Sequence, residues 1–172
     1  MTKVRAERPE DVDAIGELTT AAFKQAEHRS GTEAAIVDAL RAAGALSVSL
    51  VAVENGDVVG HVAFSPVTVK SRKTGESRTT GWLGLGPVSV RPDRQGCGIG
   101  KVLIETGLTR LREGGADGCV VLGDPRYYAR FGFVSDPGLR YADAPAEYLQ
   151  RIVFKGLPPT GEVAYHPGFA EA

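Results

Sequence analysis

Apolar residues change their spacing several times along the chain, and each change marks an element. Residues 4–7 read as a short strand ended by Pro9. Glu10, Asp11 and Asp13 then open a helix, acids being favoured near the positive end of its dipole. Val12, Ile15, Leu18 and Ala22 give that helix one apolar stripe. A second helix starts from Thr32 as N-cap and turns Ile36, Leu40 and Ala43 inward. Gly44 stands where a C-terminal cap belongs.

The middle of the chain shifts to strand patterns. Residues 46–54 and 58–69 are β-branched and apolar, and Asn55-Gly56 between them is the preferred pair for a tight hairpin turn. Residues 71–81 are polar and read as a loop. Residues 82–90 return as a strand, irregular at Pro87, which cannot donate to a ladder. Residues 91–98 form a loop and 99–113 a helix, in which Ile99, Val102, Leu103, Ile104, Leu108 and Leu111 imply burial on more than one side. Gly114-Gly115 ends it, and 119–122 is a short buried strand. Asp124-Pro125 starts a short helix carrying Tyr127, Tyr128 and Phe131, stopped by Gly132. Two weaker strands, 151–154 and 162–165, follow. No repeat or linker interrupts the pattern, so the reading is a single domain over residues 1–172.

Composition narrows the function. Lys plus Arg total 20 against 21 Asp plus Glu, a net charge of −1, which lacks the footprint of a nucleic-acid or membrane-surface binder. Cys97 and Cys119 make neither a disulfide framework nor a metal site, and His28, His61 and His166 lie far from both and from one another. No signal-peptide pattern or long apolar run occurs, so a cytoplasmic protein is expected. Glycine is the exception: 22 residues, of which 13 fall between Gly81 and Gly138. Backbone-mediated chemistry is expected in that stretch.

The string Arg91-Pro92-Asp93-Arg94-Gln95-Gly96-Cys97-Gly98-Ile99-Gly100-Lys101 sits between a strand and a helix. Glycines at a helix start let successive N–H groups point into one concavity, a site suited to phosphate or pyrophosphate. Neither the P-loop nor the dinucleotide fingerprint is met. Gly100-Lys101 is followed by Val102 with Gln95 where the first P-loop glycine belongs, and no G-x-G-x-x-G spacing occurs. Gln95 to Gly100 does fit Q/R-x-x-G-x-G/A, and so resembles the acetyl-CoA pyrophosphate loop of the GNAT superfamily of N-acetyltransferases. The preceding GPVSVRPD, the element order β-α-α-β-β-β-α-β-α-β and the Y-x-x-x-G-F element ending at Phe133 agree with it. Within that superfamily the chain is most similar to the YhbS-like acetyltransferases, and the resemblance covers essentially its whole length.

The resemblance implies an α/β fold of GNAT type, a mixed, twisted, mostly antiparallel sheet flanked by helices and splayed between its fourth and fifth strands. It implies acetyl transfer from acetyl-CoA to a primary amine, of a small molecule or a peptide, by direct attack in a ternary complex, without a metal. The donor would be held by the backbone of Gln95, Gly96, Cys97, Gly98, Ile99, Gly100 and Lys101. Val88, Ser89 and Val90 would pair with the pantetheine arm, and a main-chain N–H there would polarise the acetyl carbonyl. Tyr128 would protonate the departing thiolate, with Tyr127 its neighbouring rival. Asp124, Glu27, His28 and His61 are the candidates for a general base, and none is assigned. The implied partners exclude nucleic acid and membrane and allow a homodimer. The competing reading is a non-catalytic acyl-CoA-binding or sensing module; a nucleotide-phosphate binder is disfavoured by both failed fingerprints.

Overall fold

The structure, a computed structural model, describes residues 1–24 and 32–170. Glu27 and His28 therefore lie outside the described residues. Two compact units divide the chain: Met1–Phe64, Gly86–Arg110 and Pro167–Ala172 form one, Ser65–Leu85 and Leu111–His166 the other.

The first unit holds β1 (Lys3–Ala6), α1 (Val12–Phe23), α2 (Glu33–Ala42), β2 (Val48–Glu54), the first half of β3 (Asp57–Lys70), the end of β4 (Ser77–Val90) and most of α3 (Ile99–Glu113). β1 pairs antiparallel with β2, and β2 with β3. The turn between β2 and β3 has φ 52° at Asn55 and 83° at Gly56, the double left-handed geometry that Asn-Gly favours. Every residue of β3 from 59 to 64 is buried, because helices cover both faces. Ile15 of α1, Val37 of α2 and Val51 of β2 form one cluster. On the other face α3 lies so near that a Cβ on Gly60 would meet Ile99 at 2.8 Å and Leu103 at 2.9 Å, and one on Gly107 would run into the Phe64 ring. Each large apolar side chain buried in this way contributes about 1.5–3 kcal/mol.

Three expectations for the helices change. Thr32 occupies the N-cap of α2 but makes no side-chain capping bond. Ala43 is exposed, because α2 ends one residue before it and Gly44 turns away at φ 68°. Val102 is also exposed, so α3 buries Ile99, Leu103, Ile104, Gly107, Leu108 and Leu111 along a broad stripe rather than on opposite sides.

The second unit contains the rest of β3 and β4, then β5 (Gly118–Leu122), α4 (Pro125–Tyr128), β6 (Val134–Ser135), β7 (Leu139–Arg140), β8 (Leu149–Val153) and β9 (Gly161–Tyr165). Val67, Val69, Trp82, Val120, Leu139, Leu149 and Val163 form its core. β9 pairs antiparallel with β3 and parallel with β7, while β8 pairs antiparallel with β5 and β6. β4 and β5 run parallel, paired from Trp82 to Gly84 with Gly118 to Val120; β4 then continues to Val90. The strands hydrogen-bond in the order β1-β2-β3-β4-β5-β8-β6, a mixed and mostly antiparallel sheet.

β4 begins at Ser77, five residues before the strand expected from its apolar pattern. The polar stretch closes early, with Ser71 N donating to Glu76 O at 2.9 Å and Gly75 N to Ser71 O at 2.8 Å. A strand so begun needs no apolar face, only backbone partners. A cis peptide joins Gly86 and Pro87, the irregularity expected in this strand. Among the described residues no helix is long and apolar enough to cross a membrane.

Candidate functional site

Val88, Ser89 and Val90 end β4, a one-turn helix (Pro92–Arg94) follows, and Gln95 to Gly98 lead into α3. The structure thus brings these residues together in the first unit. Gly96 and Gly98 take φ 77° and 84°, a region an L side chain enters only at a cost of about 1–2 kcal/mol. Gln95, Gly96, Cys97 and Gly98 are exposed, while Ile99 is buried and anchors the helix start. The first bond into α3 runs from Val102 N to Gly98 O at 3.1 Å. The N–H groups of residues 96–101 accordingly donate to no acceptor among the described residues. A Cβ built on Gly96 or Gly98 would meet nothing within 4 Å. These donors lie at the positive end of a 15-residue helix, a fit for a diphosphate.

The loop is tied down around this opening. Gln95 donates from Nε2 to Val90 O at 3.0 Å. Arg94 binds both carboxylate oxygens of Glu54. Lys101 pairs with Glu105 at 3.2 Å, so its ammonium turns along the helix and its amide remains for the cradle. Ser89 is buried and donates to Thr19 Oγ1 at 3.4 Å, which fixes the end of β4 against α1. Sequence spacing reveals neither the Glu54–Arg94 nor the Thr19–Ser89 contact, since each joins elements far apart in the chain.

Tyr128 belongs to the second unit. Asp124 caps α4 by accepting from Arg126 N at 2.9 Å, which orients the aromatic residues that follow. The Tyr128 ring stands edge-on to Tyr127 at 5.0 Å and to Phe133 at 6.0 Å, and a Cβ on Gly123 would meet it at 2.5 Å. Burial pushes its hydroxyl pKa up to about 12. The hydroxyl has no hydrogen-bond partner among the described residues and stays protonated at neutral pH. Tyr127 instead packs under the Arg130 guanidinium, 4.3 Å from its ring centre, and is the poorer candidate.

The described candidates for a base do poorly. The backbone N–H of Arg126 and its guanidinium hold the Asp124 carboxyl below its ordinary value, which makes it a weak proton acceptor. His61 is fully buried, and desolvation lowers its pKa to about 4. Its Nε2 lies 2.8 Å from Ser49 Oγ, in a cluster with Glu7 and Arg41.

A strand-loop-helix cradle of this kind is a site for a phosphate-bearing ligand. The family model for the acetyltransferase (GNAT) family matches residues 12–133. The uncharacterized N-acetyltransferase YhbS of Escherichia coli strain K12 is 40% identical over 173 aligned positions, covering 96% of this chain and 97% of its own. A GNAT family acetyltransferase from Brucella melitensis, solved with acetyl-CoA, superposes with a TM-score of 0.85 and 48% identity over 98% of both chains. YhbS of Escherichia coli, solved with CoA, superposes with a TM-score of 0.87 and 34% identity over 98% of this chain and 92% of its own. The chain belongs to the GNAT family of acetyltransferases.

Proposed function

We propose that this protein takes acetyl-CoA as donor and transfers its acetyl group to a primary amine, of a small molecule or a peptide, by direct attack in a ternary complex. The observation that carries this reading is the row of six unpartnered amides, residues 96–101, at the start of α3. Complexes of the Brucella melitensis and Escherichia coli relatives with acetyl-CoA and CoA support it.

In the proposed reaction the amides hold the diphosphate, and the end of β4, Val88 to Val90, lies along the pantetheine arm. A neutral amine attacks the thioester carbonyl; a β4 main-chain N–H stabilises the oxyanion. The adduct loses the extra proton on its nitrogen to solvent water and collapses, the C–S bond breaks, and Tyr128 gives its proton to the leaving sulfur and is reprotonated from solvent. The Tyr128 hydroxyl, at about 12, is a weaker acid than a thiol at about 8.5, so the transfer is itself uphill and is drawn forward at neutral pH by reprotonation of Tyr128 from solvent.

The test is thiol release from acetyl-CoA across a panel of polyamines, amino sugars, aminoacyl compounds and lysine peptides. Amine-dependent release is expected with at least one class. Tight acetyl-CoA binding without release from any amine would instead indicate a binding or sensing module. Tyr128→Phe is expected to lower kcat by about 10- to 100-fold with the acetyl-CoA KM little changed. An unchanged kcat would remove Tyr128 from the reaction.

A further inference from the structure

We propose that Glu54 and Arg94 form a clamp that sets the shape of the amide cradle, with Glu54 as a positioning residue for donor binding. This rests on the reading of the cradle as the acetyl-CoA site.

The contact has the geometry of a fixed joint. Arg94 Nε donates to Glu54 Oε1 at 2.7 Å and Nη2 to Oε2 at 2.9 Å, a planar fork-to-fork pair. Thr2 Oγ1 adds a third bond to the same carboxylate, at 2.6 Å. The Glu54 side chain is only 14% exposed. Hydrogen bonds from Arg94 and then Thr2 lower its pKa to about 2, so it remains an anion throughout the ordinary assay range. Exposed ion pairs between two flexible side chains contribute little. Here the carboxylate ends β2, directly before the tight Asn55-Gly56 turn, and is itself held in place.

Arg94 is also the last residue before the cradle. Its remaining nitrogen, Nη1, reaches 3.6 Å from Cys97 Sγ, inside the loop. Each guanidinium nitrogen thus makes one contact within the protein, while Nη1 and Nη2 each keep a further N–H, so the variants below are chosen to separate the clamp from a direct phosphate contact. The cradle needs such an anchor. Gly96 and Gly98 have no side chains to pack, and a loop free to reorient would lose that freedom on binding. Ile99 pins the exit of the loop in the core. The clamp pins its entrance, together with the Gln95 bond to Val90 O.

The test uses the full chain and its Glu54→Gln, Arg94→Met and double variants. A charge-exchanged variant, Glu54→Arg with Arg94→Glu, is added. Calorimetric CoA binding, acetyl-CoA KM, kcat and the melting temperature are measured for each. Each single variant is expected to weaken CoA binding and raise the KM by about tenfold, with kcat within about twofold of wild type; the double variant is expected to be no weaker than either single one. Charge exchange is expected to recover part of the affinity, which separates the clamp from a general loss of folding.

Unchanged affinity in Glu54→Gln beside a loss in Arg94→Met would make Arg94 a direct ligand and overturn the clamp. Additive losses, or no loss in any folded variant, would overturn it as well. A wild type that binds no CoA would overturn the donor reading and the clamp with it, an outcome plainly distinct from wild-type binding that the variants leave untouched.

Discussion

His61 shows what a single buried side chain does to the whole chain's acid tolerance. Desolvation holds its pKa near 4, Glu7 lies 3.8 Å from Nε2, and Ser49 and Arg41 complete the surrounding polar groups, with Asp38 paired to the outer side of Arg41. Burial works to raise the Glu7 carboxyl pKa, but hydrogen bonds from Arg41 and Ser49 outweigh it and keep Glu7 ionised. An unfolded histidine titrates near 6.5, so below that pH the unfolded chain binds a proton that the folded chain refuses. The stability tied to His61 is therefore complete above about pH 6.5 and is lost as the pH falls towards 4, about 3 kcal/mol in all. Urea unfolding at about pH 7.5 and about pH 5 is expected to show a loss of ~2 kcal/mol in the wild type, much reduced in His61→Leu. Equal losses in both proteins would place the acid sensitivity elsewhere. No pattern in the sequence marks His61 for this environment: it sits in an apolar strand, and its partners come from β2, α2 and the residue after β1.

At the scale of elements, α3 separates two uses of glycine. Gly107 is a packing position, since a Cβ there would enter the Phe64 ring. Gly98 is a conformational one, with φ 84° and open space around it. Gly107→Ala is expected to cost about 1–3 kcal/mol of stability while the folded protein still binds CoA. Gly98→Ala is expected to weaken CoA binding by about tenfold at a stability cost of about 1 kcal/mol, because it redirects the amides of the cradle. Thermal melts paired with calorimetry distinguish the two, and a reversed pattern would contradict this division. The β2–β3 hairpin is the element most legible from sequence, because Asn55-Gly56 encodes its turn locally. β6 and β7 are not legible, since two residues apiece cannot display a period. The early start of β4 is hidden for another reason: residues 77–81 supply backbone partners without the apolar pattern that reveals a strand.

For the molecule as a whole, a net charge of −1 supplies no broad attractive field for an anionic donor, and the affinity is assigned to local backbone donors. The turn at Gly96 and Gly98 is legible because glycine spacing records backbone geometry directly; its role towards the donor is the proposal. The Glu54–Arg94 clamp is not, because side chains 40 residues apart are joined only by the fold. The proposed acceptor amine leaves still less trace, since no single segment carries a motif for it. The central claim, that the amides of residues 96–101 hold the diphosphate, is tested most directly by following backbone amide resonances as acetyl-CoA is added to 15N-labelled protein. The Gly96, Cys97, Gly98, Ile99, Gly100 and Lys101 amides are expected to move downfield together as they gain charged acceptors, saturating with the calorimetric affinity. Saturation that leaves these six unmoved while amides elsewhere shift would contradict the account.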